Sequence, residues 1–209
     1  MRFAAVIFDL GGVVLGSPLQ AIAAFEREQG IPAGFVNRVV MDTAPEGAWS
    51  RLERGELTLE EFFVAFERDC AAAGQRLSAR AMMERMAEVA LPRPAMLDAV
   101  QRLRAGGLKT AALTNNWEVE GREEGTRALR AYFDAFVESS VVGLRKPDPR
   151  IYQHACDQVG AQPAEAVFLD DIGHNLKAAR QLGMATIKVD DPDQALAELE
   201  ELLGFSLRG

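Results

Sequence analysis

The chain is poor in cysteine, in positive charge and in long apolar runs, and each shortage closes off a class of protein. Its two cysteines, Cys70 and Cys156, both fall within amphipathic helical patterns, where a free thiol packs as a small hydrophobe. They are expected to be reduced core residues, which suits a cytoplasmic location. Lysine and arginine number 23 against 31 aspartates and glutamates, a formal net charge of -8. Nucleic-acid binding relies on clustered cations that displace counterions, so no nucleic-acid partner is expected. No run approaches the roughly 20 apolar residues that a membrane-crossing helix needs. The opening "MRFAAVIFDLGG" has neither the length nor the cleavage pattern of a signal peptide. Internal repeats and low-complexity segments are missing as well.

What is present is ordinary globular material: 209 residues, 48% hydrophobic and 26% charged, enough for one domain with an insertion. Residues 4–8 form a short apolar run closed by Asp9 and the Gly11-Gly12 pair, the pattern of a strand buried on both faces of a parallel sheet. From about Pro18 to Ala90 the text is helical. In "TLEEFFVAFERDC", Thr58 and Glu61 form a capping box, and Leu59, Phe62, Phe63, Phe66 and Cys70 recur at helical spacing. "SPLQAIAAFEREQG", "APEGAWSRLERG" and "SARAMMERMAEVA" complete a bundle of four or five helices. Their Phe and Met stripes read as core.

After "LPRP" helix and strand alternate. "PAMLDAVQRLRAGG" precedes the strand "LKTAALTN", "DPRIYQHACDQVG" precedes "AEAVFLDD", and "HNLKAARQLG" precedes "ATIKVDD". The expected fold is α/β: a Rossmann-like, three-layer parallel sheet core from residues 1–15 and 91–209, with an inserted all-helical cap at 16–90. The stretch "NNWEVEGREEG" reads as a solvated loop carrying Glu118, Glu120, Glu123 and Glu124. The sequence leaves the oligomeric state open, because the apolar faces of the cap helices can be satisfied within one chain.

Ligands of such sheets bind beyond the carboxyl ends of the strands. Those ends carry Asp9, then Thr114 and Asn115, then Asp170 and Asp171, while the loop "GLRKPDP" offers Lys146. Asp9 and the Asp170-Asp171 pair supply hard oxygen ligands of the kind Mg2+ takes, alongside water and phosphate. Thr114 and neighbouring backbone N–H groups suit phosphate oxygens, and Lys146 offsets the gathered negative charge. One aspartate at a strand end is commonly only a turn or cap former; the constellation is what points to chemistry.

In order along the chain, "FDLGGVV", "LTNN", "GLRKPDP" and "FLDDIGHN" resemble the motifs of the haloacid dehalogenase superfamily of hydrolases. Within it, "FLDDIGHNLKAARQLGMATI" is most similar to the phosphatase-like N-terminal domains of soluble epoxide hydrolases and the related domains fused to acyl-CoA dehydrogenases. The resemblance implies a helical cap of the C1 type inserted after the first motif, and hydrolysis of a phosphorylated small molecule through an aspartyl intermediate. By the same likeness Asp9 is the nucleophile, Thr114 and Asn115 bind the phosphoryl group and Lys146 neutralises it. Asp171 and the Gly11 carbonyl join Asp9 on Mg2+, with Asp170 on the ion or beside it, and Asn175 steadies the loop. Trp117 borders the substrate pocket. His174 has no family role to inherit; it is carried as a pocket candidate, its plain reading being a helix-cap residue.

The departure is Gly11. Phosphatases of this family usually hold a second aspartate there, which protonates the leaving oxygen and then activates water; glycine does neither. Positioned proton transfer contributes typically ~100 to 10,000-fold, so the expectation is a phosphatase of a small-molecule or lipid-like phosphate, slow on poor alkoxide leaving groups and less handicapped where the leaving group needs no proton. The alternatives are a 2-haloacid dehalogenase-type hydrolase and a low-turnover phosphate-binding regulatory protein.

Overall fold

The computed structural model describes residues 3–119 and 123–207, with the side chains of 123–126 left aside. In chain order, β1 (Ala5–Phe8) runs into a tight turn at Leu10–Val14. Five helices follow: α1 (Pro18–Glu28), α2 (Phe35–Thr43), α3 (Ala48–Glu53), α4 (Leu59–Ala72) and α5 (Ala79–Val89). Then come α6 (Pro94–Ala105), β2 (Lys109–Thr114), α7 (Glu123–Arg130), β3 (Ala135–Glu138), α8 (Ser139–Val142) and α9 (Pro149–Val159). β4 (Ala166–Asp170), α10 (Gly173–Gln181), β5 (Ala185–Lys188) and α11 (Pro192–Leu203) complete the chain.

The five strands form one sheet in the order β3-β2-β1-β4-β5, and every pairing is parallel. β1 lies at its centre, and its four residues are wholly buried because helices cover both faces. Val6 and Phe8 join the apolar layer that includes Met96 and Val100 of α6 and Leu196 of α11. Ala5 and Ile7 point the other way, into the layer of Tyr152 and Cys156 from α9 and Leu176 from α10. β3 is a strand the sequence pattern does not announce: it has only four residues, of which Ala135 and Phe136 are half-buried. The acidic stretch is not all loop, since α7 begins at Glu123. Glu118 is exposed as expected; Glu120 lies outside the described residues, as do the side chains of Glu123 and Glu124. Among the described residues, no helix is long and apolar enough to cross a membrane.

The helices from α1 to α5 enclose a separate core in which Phe62, Phe66, Cys70 and Met82 have no exposed area. Phe62 and Phe66 stack at 5.2 Å, and Trp49 sets its edge against both. α4 starts on the capping box read from sequence: Thr58 Oγ1 accepts from Glu61 N at 3.3 Å, and Glu61 Oε2 accepts from Thr58 N at 2.9 Å. Three neighbouring helices receive carboxylates from elsewhere. Glu26 accepts from Gly34 N and Val36 N at the start of α2, Asp69 from Ala48 N at α3, and Glu67 from Ala79 N at α5. Each satisfies an orphan helix N–H and places negative charge at the positive end of the dipole.

Two strands of chain, side by side, tie these helices to the sheet. Leu15 bridges Pro92, Gly16 N donates to Leu91 O at 3.1 Å and Arg93 N to Val14 O at 2.8 Å. A Cβ at position 16 would lie 1.9 Å from Val89 O, so only glycine lets the two pass this closely.

Candidate active site

Parallel register brings the strand ends to one edge. Phe8 pairs with Ala112 on one side and Leu169 on the other, so Asp9, the next residue, is level with Leu113 and Asp170. Its N–H donates to Leu169 O at 2.9 Å, carrying the ladder one step past the strand. The chain then turns sharply, and Leu10 N donates to Asp9 Oδ1 at 2.7 Å. Gly12 closes the turn at φ 80°, and a Cβ there would lie 2.1 Å from Asp171 Oδ2. Glycine is therefore required twice over: for its backbone angle and for the approach of Asp171.

At this edge Asp9, Asp170 and Asp171 each offer an oxygen within 4.8 Å of the others. Lys146, 1% exposed, lies between two of them, its Nζ 2.8 Å from Asp9 Oδ1 and 2.8 Å from Asp170 Oδ2. Asp170 is fully occupied by protein donors: Ile172 N reaches Oδ1 at 2.7 Å, and Asn175 Nδ2 reaches both oxygens at 3.2 and 3.1 Å. Asn175 is itself held by the Tyr152 hydroxyl, which donates to its carbonyl at 3.0 Å. Asp171 is only half-buried. Burial, then Asp170 and Asp171, push the Asp9 carboxyl up to about 8 against the opposing pull of Lys146. Burial and Asp170 raise Asp171 to about 6. Burial alone would lower the Lys146 ammonium, yet Asp170 and Asp9 outweigh it and hold its pKa above the usual value.

Burial is the larger cause of both carboxylate shifts, and repulsion among the acids adds to it. Three acidic side chains face one ammonium, an arrangement whose excess negative charge a divalent cation would balance. The donors are hard oxygens and Asp171 is partly open, so the residues present fit Mg2+.

Thr114, 6% exposed, ends β2 and borders a cleft of about 700 Å3 with Leu10, Gly11, Asn115 and Trp117. The Asn115 side chain is committed elsewhere, accepting from Lys146 N at 2.8 Å and donating to Lys146 O at 3.0 Å and to Glu53 Oε2 at 3.2 Å. Trp117 is half-buried against the helical core, 6.2 Å from Trp49. His174 stands apart from the cleft. α10 buries Asn175, Leu176 and Ala179, which leaves His174 exposed on the first turn.

Two features escape sequence reasoning. Glu53, on α3, is 6% exposed and reaches the strand-end loops; in sequence it is one of several acids at a helix end. The other is Pro18. Gly11 has an ordinary backbone, φ -64° and ψ 124°, open to any residue. A Cβ there would instead meet Pro18 Cγ at 3.0 Å and Cδ at 3.2 Å. Packing, not backbone geometry, is what crowds a side chain at position 11, which would need the Pro18 ring to give by a few tenths of an ångström.

The haloacid dehalogenase-like hydrolase family model matches residues 3–183, and the chain belongs to this family. It is 40% identical over 208 residues to acyl-CoA dehydrogenase family member 10 of Mus musculus, covering 98% of this chain and 20% of that protein. It is 38% identical over 221 residues to bifunctional epoxide hydrolase 2 of Sus scrofa, covering 99% of this chain and 40% of that one. The chain thus spans well under half the length of either relative. Among solved structures, a HAD family enzyme of Bacteroides thetaiotaomicron in complex with magnesium and inorganic phosphate superposes with a TM-score of 0.62 at 22% identity. The match covers 89% of this chain and 93% of that one, a likeness of fold.

Proposed function

We propose that the chain is a Mg2+-dependent phosphatase of small phosphorylated molecules, with Asp9 as nucleophile, residues 1–15 and 91–209 as catalytic core and 16–90 as cap. The observation that carries this reading is the set of three carboxylates around one buried lysine at the carboxyl edge of the sheet. The magnesium and phosphate bound by the Bacteroides neighbour support it. Asp9, Asp171 and the Gly11 carbonyl would hold Mg2+, which supplies charge neutralisation and alignment for the transferring phosphoryl group. Asp170, saturated by Lys146, Asn175 and Ile172, orients rather than binds.

The Asp9 carboxylate oxygen forms a bond to phosphorus while the bond from phosphorus to the leaving oxygen breaks, its electron pair departing with the leaving group. The Thr114 hydroxyl and the Asn115 backbone N–H hold the phosphoryl oxygens, and Lys146 balances the charge that builds there. Water then attacks the aspartyl phosphate: its oxygen bonds to phosphorus as the bond to the Asp9 oxygen breaks, its protons leave with the released inorganic phosphate, and Asp9 is restored as a carboxylate. Neither step has a proton donor or acceptor at position 11, where the first atom of a side chain would press on the Pro18 ring. Acyl and aryl phosphates, whose leaving groups depart unprotonated, are the matching substrates. The cleft's apolar wall, with Leu15, Trp117, Phe136 and Val141, suits a lipid-like or aromatic leaving group. The Pro18 contact also supports a second reading: a protein that retains phosphate and metal affinity but turns over little. Halide displacement from a 2-haloacid makes no use of the Asp170-Asp171 pair.

The test is phosphate release from acetyl phosphate and p-nitrophenyl phosphate in Mg2+, with and without chelator. Turnover should disappear with chelator and fall at least ~1,000-fold in Asp9→Asn, on the scale of losing a covalent nucleophile. Phosphate binding without metal-dependent turnover selects the second reading, and halide release from a 2-haloacid would overturn both.

A further inference from the structure

Glu53 is a buried carboxylate on α3 that works in two directions. Its Oε1 accepts from Trp49 Nε1, one turn earlier, at 2.9 Å. Its Oε2 leaves the helical segment, accepting from Arg145 Nε at 2.5 Å and Asn115 Nδ2 at 3.2 Å. Asn115 brackets the backbone of Lys146 from both sides, and Lys146 Nζ meets Asp9 and Asp170. An unbroken polar path therefore runs from α3 to the nucleophile. The chain after α3 also presses on the strand-end loops, since a Cβ at Gly55 would lie 2.5 Å from Ser140 O, and the Ser140 hydroxyl donates to Asn116 Oδ1 at 3.0 Å.

Burying an ion pair carries a desolvation cost that well-packed apolar residues avoid, so stability alone is a weak reason to place one here. We propose that Glu53 is a positioning residue: docked onto Arg145 and Asn115, it sets the Lys146 backbone and the Asn115 N–H in register with Asp9, so that the site is complete only when α3 is seated. The inference rests on the phosphatase reading for its kinetic consequence, but the coupling itself has a separate readout. The chain has two tryptophans, hence two indole N–H resonances, and that of Trp49 reports on the Glu53 carboxylate.

In the whole chain, Mg2+ with inorganic phosphate should shift the Trp49 indole resonance, and Glu53→Gln should abolish that response. The kcat of Glu53→Gln on acetyl phosphate should fall roughly 10- to 100-fold with KM nearly unchanged, as expected when reacting groups are misplaced by about 1 Å. Arg145→Gln, which leaves the acid in place, should lose as much, and the double variant should lose no more than either single one, because both break the same contact. A folded Glu53→Gln or Arg145→Gln with wild-type kcat would overturn the proposal, as would additive losses in the double variant or a wild-type Trp49 resonance indifferent to phosphate. If the wild type hydrolyses neither substrate, the phosphatase reading falls, and the indole response alone decides: present and Glu53-dependent, it upholds the coupling; absent, it refutes it.

Discussion

The helices at 18–89 and the strand ends at Asp9 and Asp170 are both buried, and they are made of opposite materials. The first encloses rings, thioethers and a thiol, with Phe62, Phe66, Cys70 and Met82 fully covered. The second encloses Asp9, Lys146, Asp170 and Asn175, which hold one another by hydrogen bonds and ion pairs of 2.8 to 3.2 Å. An apolar core is held by contact area and tolerates substitutions that keep volume. A cluster of buried charges is held by mutual compensation, and each member's removal strands its partners. The site is thus the less forgiving of the two cores, although no atom of it needs to be better packed.

Two shape-preserving substitutions expose that difference most strongly. Lys146→Met keeps an unbranched side chain but leaves Asp9 and Asp170 without their cation, and should cost roughly 3–5 kcal/mol in urea unfolding without metal. Met82→Leu, equally buried in the helical core, should cost under about 1.5 kcal/mol in the same measurement. Equal costs would mean that the lysine's charge contributes nothing to holding the strand ends.

A second prediction concerns position 11, where the two regions touch through Pro18 of α1. Gly11→Asp alone meets the proline ring, whereas Gly11→Asp with Pro18→Ala frees the space. The double variant should raise turnover on an alkyl phosphate by about 100-fold, the lower end of what a positioned acid contributes, and change acetyl phosphate far less. An equal gain on both substrates would remove proton supply as the explanation. The smallest effect is expected at Asp171. Asp171→Asn keeps shape but removes one charged oxygen ligand and should weaken Mg2+ binding, read by titration, with the unfolding midpoint little changed. An unaltered titration would move the metal to other donors.

Much of this was legible in the chain itself. Four strands and the alternation of helix and strand follow from short apolar runs bounded by glycines and acids. The start of α4 was readable because Thr58 and Glu61 are three residues apart and cap each other locally. The start of α2 was not, because Gly34 has no side chain to cap with and the carboxylate that does the work belongs to Glu26, on the preceding helix. β3 hid behind its brevity. Among the site residues, Asp9, Thr114, Asp170 and Asp171 could be named because each sits at or just past the end of a strand pattern, and a parallel sheet brings those ends to one edge; Lys146 was legible only as the cation of the loop "GLRKPDP" between two such ends. Trp117 borders the cleft, but its half-buried contact with Trp49 depends on a helix nearly seventy residues earlier in the chain.

The sequence by itself determined four of the five strands, the run of helices between the first two of them, the identities of the charged groups at the strand ends and the glycine at position 11, because these depend on local pattern and residue type. Only the tertiary structure decided how those groups are paired. It gave Asp170 to Lys146 and Asn175 and left Asp171 partly open, spent the Asn115 amide on the Lys146 backbone, set Glu53 against Arg145, and put the Pro18 ring tightly against the place where a side chain at position 11 would begin. Partnership among buried charges depends on distances of a few ångströms between segments far apart in the chain, and no local pattern encodes those distances.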